Sequence, residues 1–178
     1  ALVTAAGGNI AGATARLFAA EGASVACLDI AGEDVTRTAA DINDAGGSAI
    51  ALLCDVTDAE AVKAAIAETV ARFGKLTTVF NAAAFSEKRH RLADMPVDMW
   101  RSVIDVNLTG MFIVCKYAIP ELQKAGGGSI VNVSSIYGKV AAAERPRQMR
   151  RLSLKWAAVL AATLSFCAIL TLSGSTSR

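Results

Sequence analysis

The stretch ALVTAAGGNIAGATARLFAAEGA at residues 1–23 decides the fold of this chain. A short apolar run, a glycine-containing turn and an alanine-rich segment with helical spacing follow one another, which is the opening of a strand–helix–strand unit. In such a unit the N-terminus of the helix presents backbone N–H groups that can bind a phosphate. The stretch therefore predicts a nucleotide-binding α/β domain.

The same alternation continues along the chain. The spacing predicts short apolar strands at 2–5, 24–29, 48–54, 76–82 and 128–134, and helices at 10–21, 33–45, 58–73 and 98–125. Strands that are apolar on both faces are typical of a parallel sheet covered by helices on both sides. We therefore expect a doubly wound, Rossmann-type sheet over residues 1–140, incomplete at its C-terminal end and followed by an atypical tail at 141–178.

Composition narrows the class of protein. Residues 1–144 hold 12 basic and all 16 acidic side chains, without a basic patch interleaved with aromatic residues, so a nucleic-acid partner is not expected there. The four cysteines are widely spaced, and most lie in apolar runs, which indicates free thiols in a reducing compartment such as the cytoplasm. His90 is the only histidine and lies in a charged run, so we expect neither a metal site nor a histidine-based triad.

Polar residues follow the predicted strands at the edge where such sheets bind ligands. Asp29 ends the second strand, and a carboxylate there can accept both hydroxyls of an adenosine ribose while repelling a 2′-phosphate. Since no basic residue is adjacent, Asp29 predicts a preference for NAD over NADP. The alternative is an ordinary aspartate at a strand end.

Five motifs in order resemble the short-chain dehydrogenase/reductase family. They are TAAGGNIA at 4–11, CDV at 54–56, NAAA at 81–84, DVNLTG at 105–110 and GSIVNVSSIYG at 128–138. The resemblance covers residues 1 to about 140. It implies an NAD(P)-dependent oxidoreductase that acts on a small alcohol or carbonyl substrate.

The resemblance also assigns roles to residues. Asn107 and Ser135 correspond to catalytic positions of the family, Asn107 orienting a water and the active-site lysine and Ser135 binding the substrate oxygen. Without the other motifs, the two residues would be interpreted as a polar kink in a helix and a strand-end turn. The implied cofactor-binding residues are Asn9, Ile10, Asp29, Asp55, Val56, Asn81 and Ala82.

The opening turn departs from the family pattern TGxxxGxG. Its three glycine positions hold Ala5, Asn9 and Ala11. Glycine there permits a positive φ and a close approach of the pyrophosphate to the backbone. We expect the two alanines to weaken cofactor binding.

The proton-transfer pair of the family is missing from this sequence. The chemistry uses a tyrosine and a lysine four residues later, whose charge lowers the pKa of the phenol. The residues four positions after Tyr117 and Tyr137 are Glu121 and Ala141, and Lys155 is preceded at that spacing by an arginine, so Lys155 is only a weak catalytic candidate. We expect little or no turnover; the alternative is a non-catalytic nucleotide-binding or interaction protein.

The tail leaves three interpretations open. Residues 145–178 hold six basic and no acidic side chains, and residues 156–172 are uncharged and predict an apolar helix. This segment is a diverged form of the helix that packs in the family's dimer interface, the product of a frameshift, or a short membrane anchor with a positive flank. The first interpretation is compatible with a homo-oligomer, and a membrane partner is the least favoured of the three.

Overall fold

The computed structural model describes residues 1–86, 92–135 and 170–173. Within them, five parallel strands form the predicted sheet: β1 (Leu2–Thr4), β2 (Ser24–Asp29), β3 (Ser48–Leu53), β4 (Thr78–Asn81) and β5 (Gly127–Asn132). Their order is β3-β2-β1-β4-β5, with β1 pairing on one side with β2 and on the other with β4. The Rossmann-type fold predicted from the sequence is confirmed, with strand ends shifted by one or two residues.

Helices connect the strands and cover both faces of the sheet. They are α1 (Asn9–Ala20), α2 (Gly32–Asp44), α3 (Ala59–Phe73), α4 (Val97–Ile104) and α5 (Met111–Lys124), with a 3-10 turn at Leu92–Asp94. Local signals explain some of the boundaries. Asp58 accepts hydrogen bonds from the backbone N–H groups of Glu60 and Ala61 at the start of α3, and Gly74 ends that helix in a left-handed conformation.

Alternate residues of the central strands face two different hydrophobic clusters. Leu2 and Leu28 lie in a cluster with side chains of α3 and α5, whereas Val3 and Val25 lie in a cluster with side chains of α1 and α2. All four are buried. Because both faces of β1 and β2 are covered, these strands contain only apolar residues at their centres, as the sequence indicates.

The predicted helix 98–125 is one helical run with an irregular centre. Between α4 and α5 lies a π-helix at Asp105–Gly110, in which backbone hydrogen bonds join residues five apart and not four apart as in an α-helix. By length and composition, this run, Val97–Lys124, is the one candidate membrane span among the described residues. Side chains of α5, including Val114 and Leu122, are buried in the sheet cluster, whereas α4 has no buried residue.

A sixth strand, β6 (Leu170–Ser173), pairs antiparallel with the outer edge of β5. The sequence predicts an apolar helix over 156–172, and this is wrong for residues 170–172, which lie in the strand. The open edge of β5 presents unpaired backbone N–H and C=O groups, and pairing with β6 satisfies them. The spacing of apolar residues within the tail does not reveal this partner. Residues 156–169, His90, Lys155 and most of the tail lie outside the described residues.

Candidate cofactor and active site

The predicted ligand-binding residues gather at one edge of the sheet, where the parallel strands end. The strand order reverses between β1 and β4, and such a switch point opens a crevice beyond the carboxyl ends of the strands. Thr4 closes the base of this crevice. Its buried hydroxyl oxygen accepts hydrogen bonds from the backbone N–H groups of Ala82 and Ala83, at 3.0 and 3.1 Å, and so joins the end of β1 to the chain that follows β4.

The turn after β1 contains one strained residue. Ala5 has φ of +56°, and it is the one non-glycine residue with a positive φ in the described part of the chain. The backbone conformation of Ala5 thus agrees with the expectation that glycine is favoured at this family position because it permits a positive φ. Asn9 and Ala11 lie in helix α1 and have no positive φ, so they need no such freedom.

Gly7 in the turn and Gly12 in α1 are required by close packing. A Cβ on Gly7 would lie 2.7 Å from Cβ of Asp34, and a Cβ on Gly12 would lie 2.9 Å from the carbonyl oxygen of Ala6. The first contact joins the turn to helix α2, and the second joins helix α1 to the turn. Thr38, which lies outside the family motifs, donates a hydrogen bond from its buried hydroxyl to the same Ala6 oxygen at 2.9 Å. In the sequence, the position of this threonine on the apolar face of the amphipathic helix α2 is the signal that could have identified it.

Helix α1 begins at Asn9, directly after the turn that follows β1. Its N-cap residue is Gly8, no side chain caps it, and its first turn contains no acidic residue. Asn9 is exposed, and Ile10 is 70% exposed although it is large and apolar. An uncapped helix N-terminus attracts an anion, and an exposed isoleucine beside it offers an apolar contact.

Asp29 uses both of its carboxylate oxygens on the backbone around the crevice. One oxygen accepts the N–H of Gly7 at 2.9 Å, and the other accepts the N–H of Ala31 at 3.0 Å. The side chain therefore ties the turn after β1 to the start of α2. Each oxygen has a second lone pair, so the carboxylate can still accept hydroxyl groups of a ligand.

Asp55 and Val56 follow β3 and differ in exposure. Asp55 is exposed, and one of its oxygens accepts hydrogen bonds from the backbone N–H and the hydroxyl of Thr57, at 2.9 and 2.8 Å. Val56 is buried and belongs to the sheet cluster that faces α5. The loop thus presents a carboxylate outward while its valine side chain points into the core.

Asn81 and Asn132 end β4 and β5 side by side and form a buried polar cluster with Cys115 of α5. The side-chain N–H₂ of Asn81 donates to Oδ1 of Asn132 at 2.9 Å and to Sγ of Cys115 at 3.5 Å. Oδ1 of Asn81 is buried without a partner in the described part of the chain. A buried acceptor left unpaired is costly, and the chain places it beside the crevice.

Asn107 lies in the π-helix, and its side chain is engaged by the chain after β4. Its Oδ1 accepts the backbone N–H of Phe85 at 2.7 Å, and its Nδ2 donates to the carbonyl oxygen of Phe85 at 3.0 Å. Asn107, a polar residue inside a long helix, therefore holds the backbone of Phe85 by two hydrogen bonds. Ser135 is exposed three residues after β5, at the same edge of the sheet.

Among the described thiols, Cys27 and Cys54 are buried and Cys115 is half-buried, and all three are protonated at neutral pH. Burial raises the pKa of Cys27 and of Cys54 to about 11, and for Cys54 the carboxylates of Asp55 and Asp58 add to the increase. Burial also raises the pKa of Cys115. These groups are therefore poor nucleophiles and poor metal ligands.

A dinucleotide suits this arrangement. The anion-attracting end of α1, the carboxylate of Asp29 and the outward carboxylate of Asp55 follow successive strands along one edge, in the order in which a pyrophosphate, a ribose and a base would require them. The methyl group of Ala5, in a strained conformation in the phosphate turn, opposes close approach.

Comparisons with known proteins agree with this interpretation. Residues 1–147 match the family model described as short chain dehydrogenase. Cis-4-hydroxycyclohexanecarboxylate dehydrogenase of Sinomonas cyclohexanicum is 41% identical over 142 residues, which are 79% of this chain and 56% of that protein. Cyclohexanol dehydrogenase of an Acinetobacter strain is 38% identical over 140 residues, with 79% and 56% covered. The chain thus spans about half the length of these relatives.

Solved structures show the same fold. A 3-ketoacyl-ACP reductase from Sinorhizobium meliloti superposes with a TM-score of 0.81 at 34% identity, covering 93% of this chain and 62% of that one. Carveol dehydrogenase from Mycobacterium avium, solved in complex with NAD, gives a TM-score of 0.76 at 29% identity, with 79% and 56% covered.

Proposed function

Because the chain belongs to the short-chain dehydrogenase family, we propose that its described domain binds NAD at the crevice between the ends of β1 and β4. The observation that supports this most strongly is Asp29, whose carboxylate joins Gly7 of the phosphate turn to Ala31. It holds the turn beside the uncapped N-terminus of α1. A dinucleotide needs this combination of a phosphate site and a ribose acceptor.

Each strand end has a proposed part in binding. Backbone N–H groups at Asn9 and Ile10 bind the pyrophosphate, and Asp29 accepts the adenosine ribose hydroxyls. Asp55 and the backbone of Val56 bind the adenine, while Asn81 and Ala82 form the opposite wall at the end of β4. The negative charge of Asp29 disfavours a 2′-phosphate, so NAD is preferred over NADP.

The proposed reaction of the family site is hydride transfer between the nicotinamide and an alcohol or carbonyl carbon. When bound, the nicotinamide ring accepts or supplies the hydride. Ser135 binds the substrate oxygen, and Asn107 holds the chain after β4 in place through Phe85. Lys155 is a weak third candidate. The tyrosine that would exchange the proton has no counterpart at the required spacing in this sequence, so we propose binding with little or no turnover.

The names of the relatives suggest a substrate class. Cis-4-hydroxycyclohexanecarboxylate, cyclohexanol and carveol dehydrogenases are named for alcohols. A small alcohol or its ketone is therefore the proposed substrate of the whole protein. The buried, protonated thiols of Cys27 and Cys54 are consistent with a reducing compartment such as the cytoplasm.

Titration with NADH and NADPH tests the cofactor proposal. Asp29→Asn and Asp29→Ala both remove the charge that repels a 2′-phosphate, so the ratio of NADH to NADPH affinity should fall about tenfold in each. The absolute affinity for NADH should fall further in Asp29→Ala, which also removes both acceptors of the turn. Asp44→Asn is the matched control, because it removes one exposed carboxylate at the other end of α2.

Two results would contradict the proposal. Absence of NADH binding by the unmodified chain at millimolar concentration refutes the nucleotide site, and an unchanged affinity ratio in both Asp29 variants refutes the role of Asp29. For turnover, cyclohexanone and NADH should show no oxidation above background. Oxidation that Ser135→Ala abolishes would contradict the proposal of little or no turnover.

A further inference from the structure

Gly110, at the end of the π-helix, forms a notch that receives the side chain of Val56. A Cβ on Gly110 would lie 2.6 Å from Cγ2 and 3.2 Å from Cβ of Val56. The first distance is far inside van der Waals contact, so only a glycine leaves room for the valine. Gly110 is buried, and its φ is an ordinary helical −60°, so space and not backbone conformation requires the glycine.

The packing of Val56 sets the position of the loop after β3. Val56 stands directly after Asp55 and is only 6% exposed, with its side chain in the core cluster. On either side the loop is braced by polar contacts, since Asp55 accepts from Thr57 and Asp58 caps α3. A shift of the valine side chain would therefore move the loop as one piece.

The notch lies next to the crevice. Gly110 and Val56 line a small recess together with Thr4, Asn81, Ala83, Met111 and Val114. The same π-helix holds Phe85 through Asn107, so one six-residue segment contacts both the loop that follows β3 and the chain that follows β4. The π-helix brings Asn107 and Gly110 to these two loops at once.

We propose that Gly110 is a positioning residue for the adenine side of the cofactor site, acting through Val56 on the Asp55–Val56 loop. The inference rests on the proposed function, because it takes this loop as the adenine contact. A side chain at position 110 pushes Val56 out of the notch and displaces the loop. Binding of the adenylate half of the cofactor should therefore depend on the fit between residues 110 and 56, whereas binding of the nicotinamide half should not.

A reciprocal pair of variants in the full chain tests this. Gly110→Ala overfills the notch and Val56→Ala empties it, so each should weaken AMP and NADH binding about tenfold. In the double variant the added methyl group occupies part of the space that the valine leaves, and AMP affinity should return to within about threefold of the unmodified chain. Reduced nicotinamide mononucleotide, which lacks the adenylate, should bind all variants alike. Thr109→Ala, at an exposed neighbour in the same π-helix, is the control and should change neither affinity.

The outcomes separate this inference from the proposed function. If the unmodified chain binds neither AMP nor NADH, the proposed function fails and the adenine role of Gly110 fails with it. If the unmodified chain binds both, the inference alone is overturned by unchanged AMP affinity in the single variants, or by equal losses for AMP and the mononucleotide. If Gly110→Ala does not fold by circular dichroism, the double variant decides: AMP binding no tighter than that of Val56→Ala overturns the inference.

Discussion

Ala5→Gly should stabilise the chain, although glycine substitutions usually destabilise. Ala5 has φ of +56°, in the left-handed region, which costs an L-residue about 1–2 kcal/mol. Glycine removes this cost but adds about 0.4–1 kcal/mol of conformational entropy to the unfolded chain. The half-buried methyl group contributes roughly another 0.4 kcal/mol, taking half of the value for a buried methylene. The free energy of unfolding should therefore rise by about 0.4 kcal/mol, within a range of roughly −0.4 to +1.2 kcal/mol.

Ala13→Gly is the matched control. Ala13 is exposed in the interior of α1, where glycine costs about 1 kcal/mol relative to alanine. Each substitution removes one alanine methyl group, and the two positions are eight residues apart. The two changes in the free energy of unfolding should therefore have opposite signs and differ by about 1–2 kcal/mol. In a chain of this length the difference corresponds to a separation of roughly 2–8 °C in Tm.

Urea unfolding followed by far-ultraviolet circular dichroism measures both variants at equal slope. A loss of stability in Ala5→Gly as large as that in Ala13→Gly would refute the assignment of strain to position 5. A second readout is NADH affinity, which should rise in Ala5→Gly because the methyl group no longer lies in the phosphate turn.

Two other predictions follow from close contacts and burial. Gly7→Ala places a Cβ 2.7 Å from Cβ of Asp34 and should lower the free energy of unfolding by about 1–3 kcal/mol. Gly32→Ala, whose added Cβ has its nearest neighbour 3.7 Å away, should not lower it. Equal effects of the two variants in urea unfolding would contradict the packing argument. The pKa of Cys27 and of Cys54 is about 11 in the folded chain against 9.0 for an ordinary thiol, so the stability they contribute is fully present below pH 9 and is lost as the pH rises from 9 to 11. Urea midpoints between pH 8 and 10.5 should therefore fall less steeply when both cysteines are replaced by alanine, and parallel pH profiles would count against the thiols.

Much of the fold could be predicted because its determinants are local. Apolar runs bounded by glycine and polar residues located all five parallel strands, and helical spacing located the helices to within one residue at most ends. Residue type at strand ends also identified Asp29, Asp55 and Asn81 as neighbours on one edge, since parallel strands bring their carboxyl ends together. The π-helix was not predictable, because a segment of six residues is too short for its wider turn to leave a periodic signal in the sequence.

β6 shows where local pattern misleads. Residues 170–172 are apolar, and this part of the tail has the composition of a helix, yet they pair with the open edge of β5. The backbone of an edge strand offers unpaired hydrogen-bonding groups to any extended segment, whatever its intrinsic preference. The structure of such a segment depends on a partner about 40 residues earlier in the chain, which spacing within the segment cannot contain.

The glycines of the site also depend on residues that are distant in the sequence. A family pattern records where glycine is usual, and it directs attention to positions 5, 9 and 11, but only position 5 has a backbone conformation that favours glycine. Gly7 and Gly110 are needed because Asp34 and Val56 approach them from other elements. Both contacts join a ligand-edge segment to a helix, so the geometry of the proposed cofactor site depends on pairs of residues distant in sequence. Substitutions that change both members of such a pair together are therefore the ones that can reveal how the site is held.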